Sequence, residues 1–376
     1  MHTKFCQTLG LDVPIFAFSH CRDVVVAVSK SGGLGVLGAG FMDAKQLKED
    51  LDWIDAHIGD KPYGVDVVIP QNYEGRDDPE LSEKQLENKL WRMVPPEHIE
   101  AAEKLMRDHG VPEWPEGGRP KILGWTLQTV MPCVKEALTH PNCKLIANAL
   151  GTPPDHVIKM VKDSGRLIGA LCGKKKQAMS HKRSGLDFVV AQGGEGGGHT
   201  PEVGSIVLWP EIIDAVYPLP VLAAGGIGNG RQMLAAMSMG AAGVWTGSLW
   251  LTVEEANAQP AQKETLLKAT INDTVRTSAW TGKGARVLRN EWTEFWDDKE
   301  TIDPLPMPVH GLVTADAMRR TEAYAGTGNT QKVAMNICGQ VIGQINQIES
   351  SRNAIYRLIR EYVDALEVVN NLMPDS

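Results

Sequence analysis

The chain has 376 residues, 43% hydrophobic and 22% charged, the balance of a globular protein with room for one large α/β domain or two ordinary ones. A net charge of −8 excludes a general binder of nucleic acid or of anionic membranes, which needs a basic face. No apolar run reaches the ~18 residues of a membrane span, and the N-terminus MHTKFCQTLGLDVP lacks the apolar core of a signal peptide. The six cysteines (Cys6, Cys21, Cys133, Cys143, Cys172, Cys338) show no CxxC, and the histidines form no HExxH or His/Cys cluster. A cytoplasmic protein with reduced thiols and no metal site is expected.

Residues 9–18 (LGLDVPIFAF) predict a first buried strand. Helical spacing follows over 20–31, then a second strand, LGVLGAG, at 34–40. Gly33 to Gly38 formally match GxGxxG, but these glycines lie between a helix and a strand. A dinucleotide site needs them to close a strand and open a helix, so that reading is rejected. Asp43 is a predicted N-cap for an amphipathic helix to Ile58. KPYGVDVVIP (61–70) predicts a third strand with Asp66 at its middle. The polar, Pro-rich stretch 71–120 is an insertion over the strand ends, either a lid or a surface excursion, with one helix at 95–110. Residues 121–128 are a further strand or the end of that insertion.

Helices are predicted at 133–141, 153–165 and 174–185, and strands at 143–151 and 166–173. The densest signal then begins. LDFVVAQ (186–192) is a buried strand followed by Gly193, Gly194, Gly196, Gly197 and Gly198, and then by His199. PVLAA (220–224) leads into Gly225 and Gly226 and a helix from Arg231, and AGVWTGSLWLT (242–252) carries Gly247 and Ser248 near its end. Seven or eight strands before Thr252, each usually followed by a helix, predict a (β/α)8 TIM barrel spanning residues 1–270. Residues 271–376 read as a mostly helical C-terminal extension, ending in a long amphipathic helix at 350–372 that packs on the barrel or serves a homodimer.

Two successive strand-end glycine loops late in a barrel form the usual phosphate site, for a sugar phosphate or a flavin mononucleotide. His199 follows a third such loop. A rim histidine titrates near neutral pH and can act as a general base, and it can equally be a structural loop residue. Glu195, among glycines, reads as a hydrogen-bond acceptor.

The runs Ser31 to Gly38, Tyr63 to Asp66, Gln192 to His199, Leu222 to Ile227 and Gly243 to Ser248 together resemble the nitronate monooxygenases, formerly called 2-nitropropane dioxygenases. The segment Q-G-G-E-G-G-G-H is the most specific of them, and the likeness covers about residues 10–255. The resemblance implies a TIM-barrel flavoprotein with non-covalent FMN and with a small-molecule substrate and O₂ as reactants. It places Phe16, Ala17 and Phe18 against the isoalloxazine, Asp66 and Gln192 at the flavin, and Gly197 and Gly198 close to it. Gly225, Gly226, Gly247 and Ser248 would hold the phosphate, flanked by Trp245 and Thr246, and His199 would be the catalytic base. The chain departs from the family at Phe16-Ala17-Phe18 (usually Ala-Pro-Met), at Asp66 (often Asn) and at Thr200-Pro201. Flavin-type enoyl-acyl-carrier-protein reductases look similar over the same motifs, so NAD(P)H-dependent reduction of an enoyl thioester is the alternative activity.

Overall fold

The computed structural model describes residues 3–69, 82–114 and 126–372. Its strands are β1 (Ile15–Ser19), β2 (Leu34–Gly38), β3 (Tyr63–Val67), β4 (Cys143–Asn148), β5 (Leu167–Cys172), β6 (Phe188–Gln192), β7 (Gly198–His199), β8 (Val221–Ala224), β9 (Gly243–Thr246), β10 (Thr274–Thr277) and β11 (Ala285–Leu288). All but β7, β10 and β11 form a closed barrel in the order β1-β2-β3-β4-β5-β6-β8-β9. Parallel pairing of Ala17 with Thr246 closes it. This is the expected TIM barrel.

Successive strand residues face opposite sides, so the barrel has two apolar layers. Ile15, Ala17, Val65, Val189, Ala223 and Val244 face the surrounding helices. Phe16, Leu34, Val36, Leu145, Phe188, Val190, Leu222 and Trp245 fill the interior. Both faces are buried, which is why the strands read as continuous apolar runs rather than alternating ones. The helix Lys4–Leu9, not anticipated from the sequence, adds Phe5, Cys6 and Leu9 to the interior layer. Phe5 packs on Phe16 and Phe188 at centroid distances of 5.7 and 5.6 Å.

The GxGxxG lookalike lies in and just before β2, as its position between helix and strand required. At Gly35 a Cβ would sit 2.4 Å from the Val25 carbonyl oxygen, so this glycine serves helix-on-strand packing. Asp43 caps the helix Ala44–Ile58 by accepting from Gln46 N at 2.9 Å. Most of the possible strand at 121–128 lies outside the described residues. Its end, Thr126, instead caps the helix Leu127–Ala137.

The insertion has two described helices, Glu83–Trp91 and Pro96–Asp108. They share a second core with the C-terminal region, in which Leu90, Met106, Trp292, Trp296, Leu312 and Val313 are buried together. Arg320, almost wholly buried, ties the two parts. Its guanidinium donates to Glu103 Oε2 at 3.0 Å and to the Pro112 carbonyl at 2.9 Å. The C-terminal region is less helical than expected, because β10 and β11 form an antiparallel hairpin that pairs with β7. The final helix, Ser351–Asn370, packs on the barrel helix Gly230–Ser238. All six cysteines are free and buried. Among the described residues no helix is long and apolar enough to cross a membrane, and no His/Cys/Asp/Glu group could hold a metal ion.

Candidate active site

The loops after the barrel strands meet at one mouth, the position at which this architecture places its ligands. Its floor is aromatic. Trp245 lies nearly parallel to Phe16 (6.5 Å, 10°) and to Phe18 (6.4 Å, 25°). Phe16 is completely buried between Phe5 and Trp245, so it supports the floor, while Phe18 is partly open and lines it. Ala17 and Thr246 fall on the other side of the pleat. Ala17 packs among the helices, and the Thr246 hydroxyl accepts from Trp250 Nε1 at 3.0 Å, so only their backbones reach the mouth.

Around the floor stand three polar groups. His20 Nδ1 lies 2.9 Å from the Gly38 carbonyl oxygen, and its ring meets Phe18 edge-on at 5.1 Å. The residue is exposed overall, yet burial of its ring against Gly38 and Phe18 holds its pKa below the ordinary histidine range, against the opposing effects of the Gly38 carbonyl and the Glu322 charge. Asp66 is 3% exposed and points into the barrel, and burial alone pushes its carboxyl up to about 8. Gln192 Nε2 donates to the Gly197 carbonyl at 3.1 Å and so closes the glycine loop on itself.

That loop is built around Glu195. Its carboxylate accepts from Ser205 N at 3.0 and 2.9 Å and from Ser205 Oγ at 2.7 Å, which caps the helix Ser205–Val216. A carboxylate at a helix N-terminus is favoured by both the orphan N–H groups and the macrodipole. The expected role of hydrogen-bond acceptor is therefore the observed one. Arg286 holds the loop from the other side, with Nε donating to the Gly194 carbonyl at 2.8 Å.

Gly225 and Gly226 follow with φ of +99° and +72°, a left-handed conformation that a side chain would strain. At Gly225 a Cβ would also sit 2.8 Å from Ser205 Oγ. Among the described residues no protein acceptor takes the N–H of Gly226, Ile227, Gly247 or Ser248. In front of Gly247 the nearest atom to an added Cβ is Phe18 Cδ1, at 3.9 Å. Two sets of unused backbone donors beside open space fit an anion such as a phosphate. The Ser248 hydroxyl accepts from Gly339 N at 2.8 Å, and Gly197 lies against the backbone of Cys338 and Gly339. This strap over the loops had no signal in the sequence beyond a small apolar run. A cavity of about 360 Å³ lies beside the loops, lined by Glu195, Gly225, Gly226, Gln232, Ile271 and Gln340 among others.

His199 stands on β7, opposite Ala285 of β11. Its ring stacks on Trp280 (5.0 Å, 16°), and Nε2 is 3.4 Å from Thr281 Oγ1. Nδ1 is buried without a hydrogen bond of good geometry, and the Gly284 backbone beside the ring favours its charged form. Burial, assisted by the positive charge of Lys283, brings its pKa down to about 4, so the imidazole is neutral at physiological pH. Trp280, Thr281 and Lys283 all come from the β10–β11 loop and were missed as site residues. The available signal was the alternation on either side of Gly-Lys-Gly, a hairpin pattern. Among the described residues no hydrogen bond or ring contact joins His199 to Phe18, Asp66 or Trp245, which occupy the mouth below it.

The nitronate monooxygenase family model matches residues 18–361. The chain belongs to this family. Over 378 residues it is 40% identical to Rv1533 of Mycobacterium tuberculosis, a protein named as a monooxygenase, with 99% of this chain and 100% of that one covered. FabK from Thermotoga maritima superposes with a TM-score of 0.75 at 25% identity, covering 99% of this chain and 100% of its own. A nitroalkane oxidase from Streptomyces ansochromogenes has the same fold, with a TM-score of 0.76 at 21% identity and coverage of 97% and 99%. As a nitronate monooxygenase family member the chain is an oxidoreductase on a flavin-dependent scaffold. The unused N–H groups, the aromatic floor and the partnerless Asp66 carboxyl fit a flavin.

Proposed function

We propose that the protein binds FMN in the barrel mouth and oxidises alkyl nitronates, or the parent nitroalkanes, with O₂. The observation that carries this reading is the set of backbone N–H groups left unused, among the described residues, at Gly226, Ile227, Gly247 and Ser248, with the partly buried His199 ending the glycine loop that packs on Gly225. Gly225, Gly226, Gly247 and Ser248 would hold the phosphate by their N–H groups. Phe18, with Trp245 behind it, would form the apolar bed of the isoalloxazine, and Asp66 and Gln192 would present polar groups to it. When bound, FMN supplies the redox chemistry, taking electrons from the substrate and passing them to O₂. The chain's own part is proton handling and position. His199 accepts the α-proton of a neutral nitroalkane, Trp280 fixes the plane of its ring, and the Lys283 charge favours the unprotonated base.

The likeness to FabK supports a second reading, reduction of an enoyl thioester by NADH or NADPH on the same scaffold. Anaerobic stopped-flow spectroscopy of the FMN-loaded protein separates the two. Bleaching of the flavin band by propionate 3-nitronate, with no comparable response to NADH or NADPH, is expected. Bleaching by the pyridine nucleotide alone would move the protein to the reductase class.

A further inference from the structure

Asp66 is out of keeping with its surroundings. Tyr63, Val65 and Val67 of β3 pack outward against Leu47, Leu51 and Ile54, so the pleat turns Gly64 and Asp66 inward. Gly64 confirms the direction, because a Cβ there would lie 3.0 Å from Leu145 Cδ2, an interior side chain. Asp66 pairs with Gly38 on one side and Ala147 on the other, at the mouth end of the barrel. Its backbone carbonyl is used, accepting from Ala39 N at 2.8 Å. Its carboxyl is not. It is 3% exposed, and among the described residues no ion pair or hydrogen bond engages it.

A buried carboxylate without a counter-charge is costly, and the group meets that cost by keeping its proton. Among the described residues no cation acts on the carboxyl to reverse this. β4 contributes Ala147 and Asn148, and Asn148 spends its side-chain amide on the Ile69 and Gly151 carbonyls. His20 is bonded to the carbonyl of Gly38, the β2 partner of Asp66, and is itself held towards the neutral form. Glu322 acts on His20 with a negative charge, and burial is the cause that raises the Asp66 carboxyl.

We propose that Asp66 serves the barrel mouth as a neutral carboxylic acid, donating its proton in a hydrogen bond to an acceptor of the bound isoalloxazine. The inference rests on the FMN reading and deepens it: this chain uses a donor that can be switched off by deprotonation where an amide could not be. Ionised, Asp66 has no proton to donate and sets a negative charge against an electron-rich ring. Protonation and flavin binding are then linked, and the apparent dissociation constant rises with pH above the carboxyl's own pKa, near 8.

The test is a fluorescence-quenching titration of the apoprotein with FMN at pH 7, 8 and 9. The second ionisation of a phosphate, near pH 6, lies below this window. Wild type should bind about tenfold more weakly at pH 9 than at pH 7, one decade per pH unit above the pKa. Asp66→Asn, which keeps a donor of the same shape, should bind like wild type at pH 7 and stay flat to pH 9. Asp66→Leu, which has no donor, should bind weakly throughout. Lys283 is also held below its ordinary range by burial, but any contribution from it persists in Asp66→Asn and cancels in the comparison. If wild type and Asp66→Asn share one pH dependence, or if Asp66→Leu matches wild type at pH 7, the donor role is wrong while the FMN reading stands. If wild type fails to bind FMN at pH 7, both fall.

Discussion

Two contacts set the chemistry available to His199. The Trp280 stack at 5.0 Å removes water from one face of the imidazole, and Lys283 places a positive charge nearby. Burial is the larger cause that disfavours the imidazolium and the Lys283 charge adds to it, against the Gly284 backbone. Because the folded pKa, about 4, lies below the ordinary 6.5, the base form is fully present above pH 6.5 and is lost only as pH falls through about 4. The acid limb of kcat/KM for a neutral nitroalkane should therefore lie near pH 4, as read by oxygen uptake with nitroethane. Lys283→Met removes the cation but leaves the burial, so the limb should move upward without reaching 6.5. A variant profile superimposed on that of wild type would show that Lys283 does not act on the base. The same scale shows which side chains of two expected site segments face the mouth. Phe16, Ala17 and Phe18 were read together as flavin neighbours, but the period-2 pleat allows only alternate residues to share a face. Phe16 and Phe18 turn inward and Ala17 does not, and Thr246 is turned away from the mouth for the same reason.

At the scale of elements, the glycine loop and the helix after it are one unit. Glu195 joins them by accepting from the Ser205 N–H with both carboxylate oxygens and from the Ser205 hydroxyl at 2.7 Å, and the Gly225 carbonyl oxygen lies 3.0 Å from the same hydroxyl. Glu195→Ala leaves the Ser205 N–H without its acceptor and removes a favourable charge from the helix N-terminus. The expected loss is about 1–3 kcal/mol of folding free energy, read as a lower urea midpoint at unchanged m-value. A midpoint equal to that of wild type would mean that the cap is dispensable. The barrel was legible because its strands are buried on both faces, so FVVA (188–191) or PVLAA (220–224) is apolar without interruption and leads into glycines. The Asp43 cap was legible because an N-cap is a local signal. The β7–β11 pairing was not, because it joins the two residues Gly198 and His199 to a hairpin far along the chain. No local pattern encodes such a partner. The aromatic neighbour of His199 therefore stayed hidden although its segment was visibly rich in tryptophan.

At the scale of the whole molecule, the C-terminal helix closes a circuit back to the mouth. Glu361 Oε2 accepts from Gly230 N at 2.8 Å, and Arg357 donates to the Gly228 carbonyl at 3.2 Å. Asn229 donates to Gln344 at 3.1 Å, in the same strap that reaches Ser248 through Gly339. The loop carrying Gly225 and Gly226 is thus buttressed from outside by residues distant in sequence. Gly230 is where the approach is closest, since a Cβ there would lie 2.1 Å from the backbone nitrogen of Tyr362. Alanine is intrinsically better than glycine in a helix, by up to about 1 kcal/mol. Here the clash is with backbone, and overpacking of that kind costs about 1–3 kcal/mol, so the steric effect wins. Gly230→Ala should push the C-terminal helix outward rather than unfold the barrel. Hydrogen exchange should accelerate over 351–370 while β1 to β6 stay protected. FMN affinity should fall several-fold although no residue of the mouth has changed, because the Gly228 and Gly230 backbone loses its fixed partners. Unchanged exchange in the helix would mean that the helix adjusts around the added methyl. Faster exchange with unchanged FMN affinity would mean that the Gly225–Gly226 loop holds its shape without the buttress.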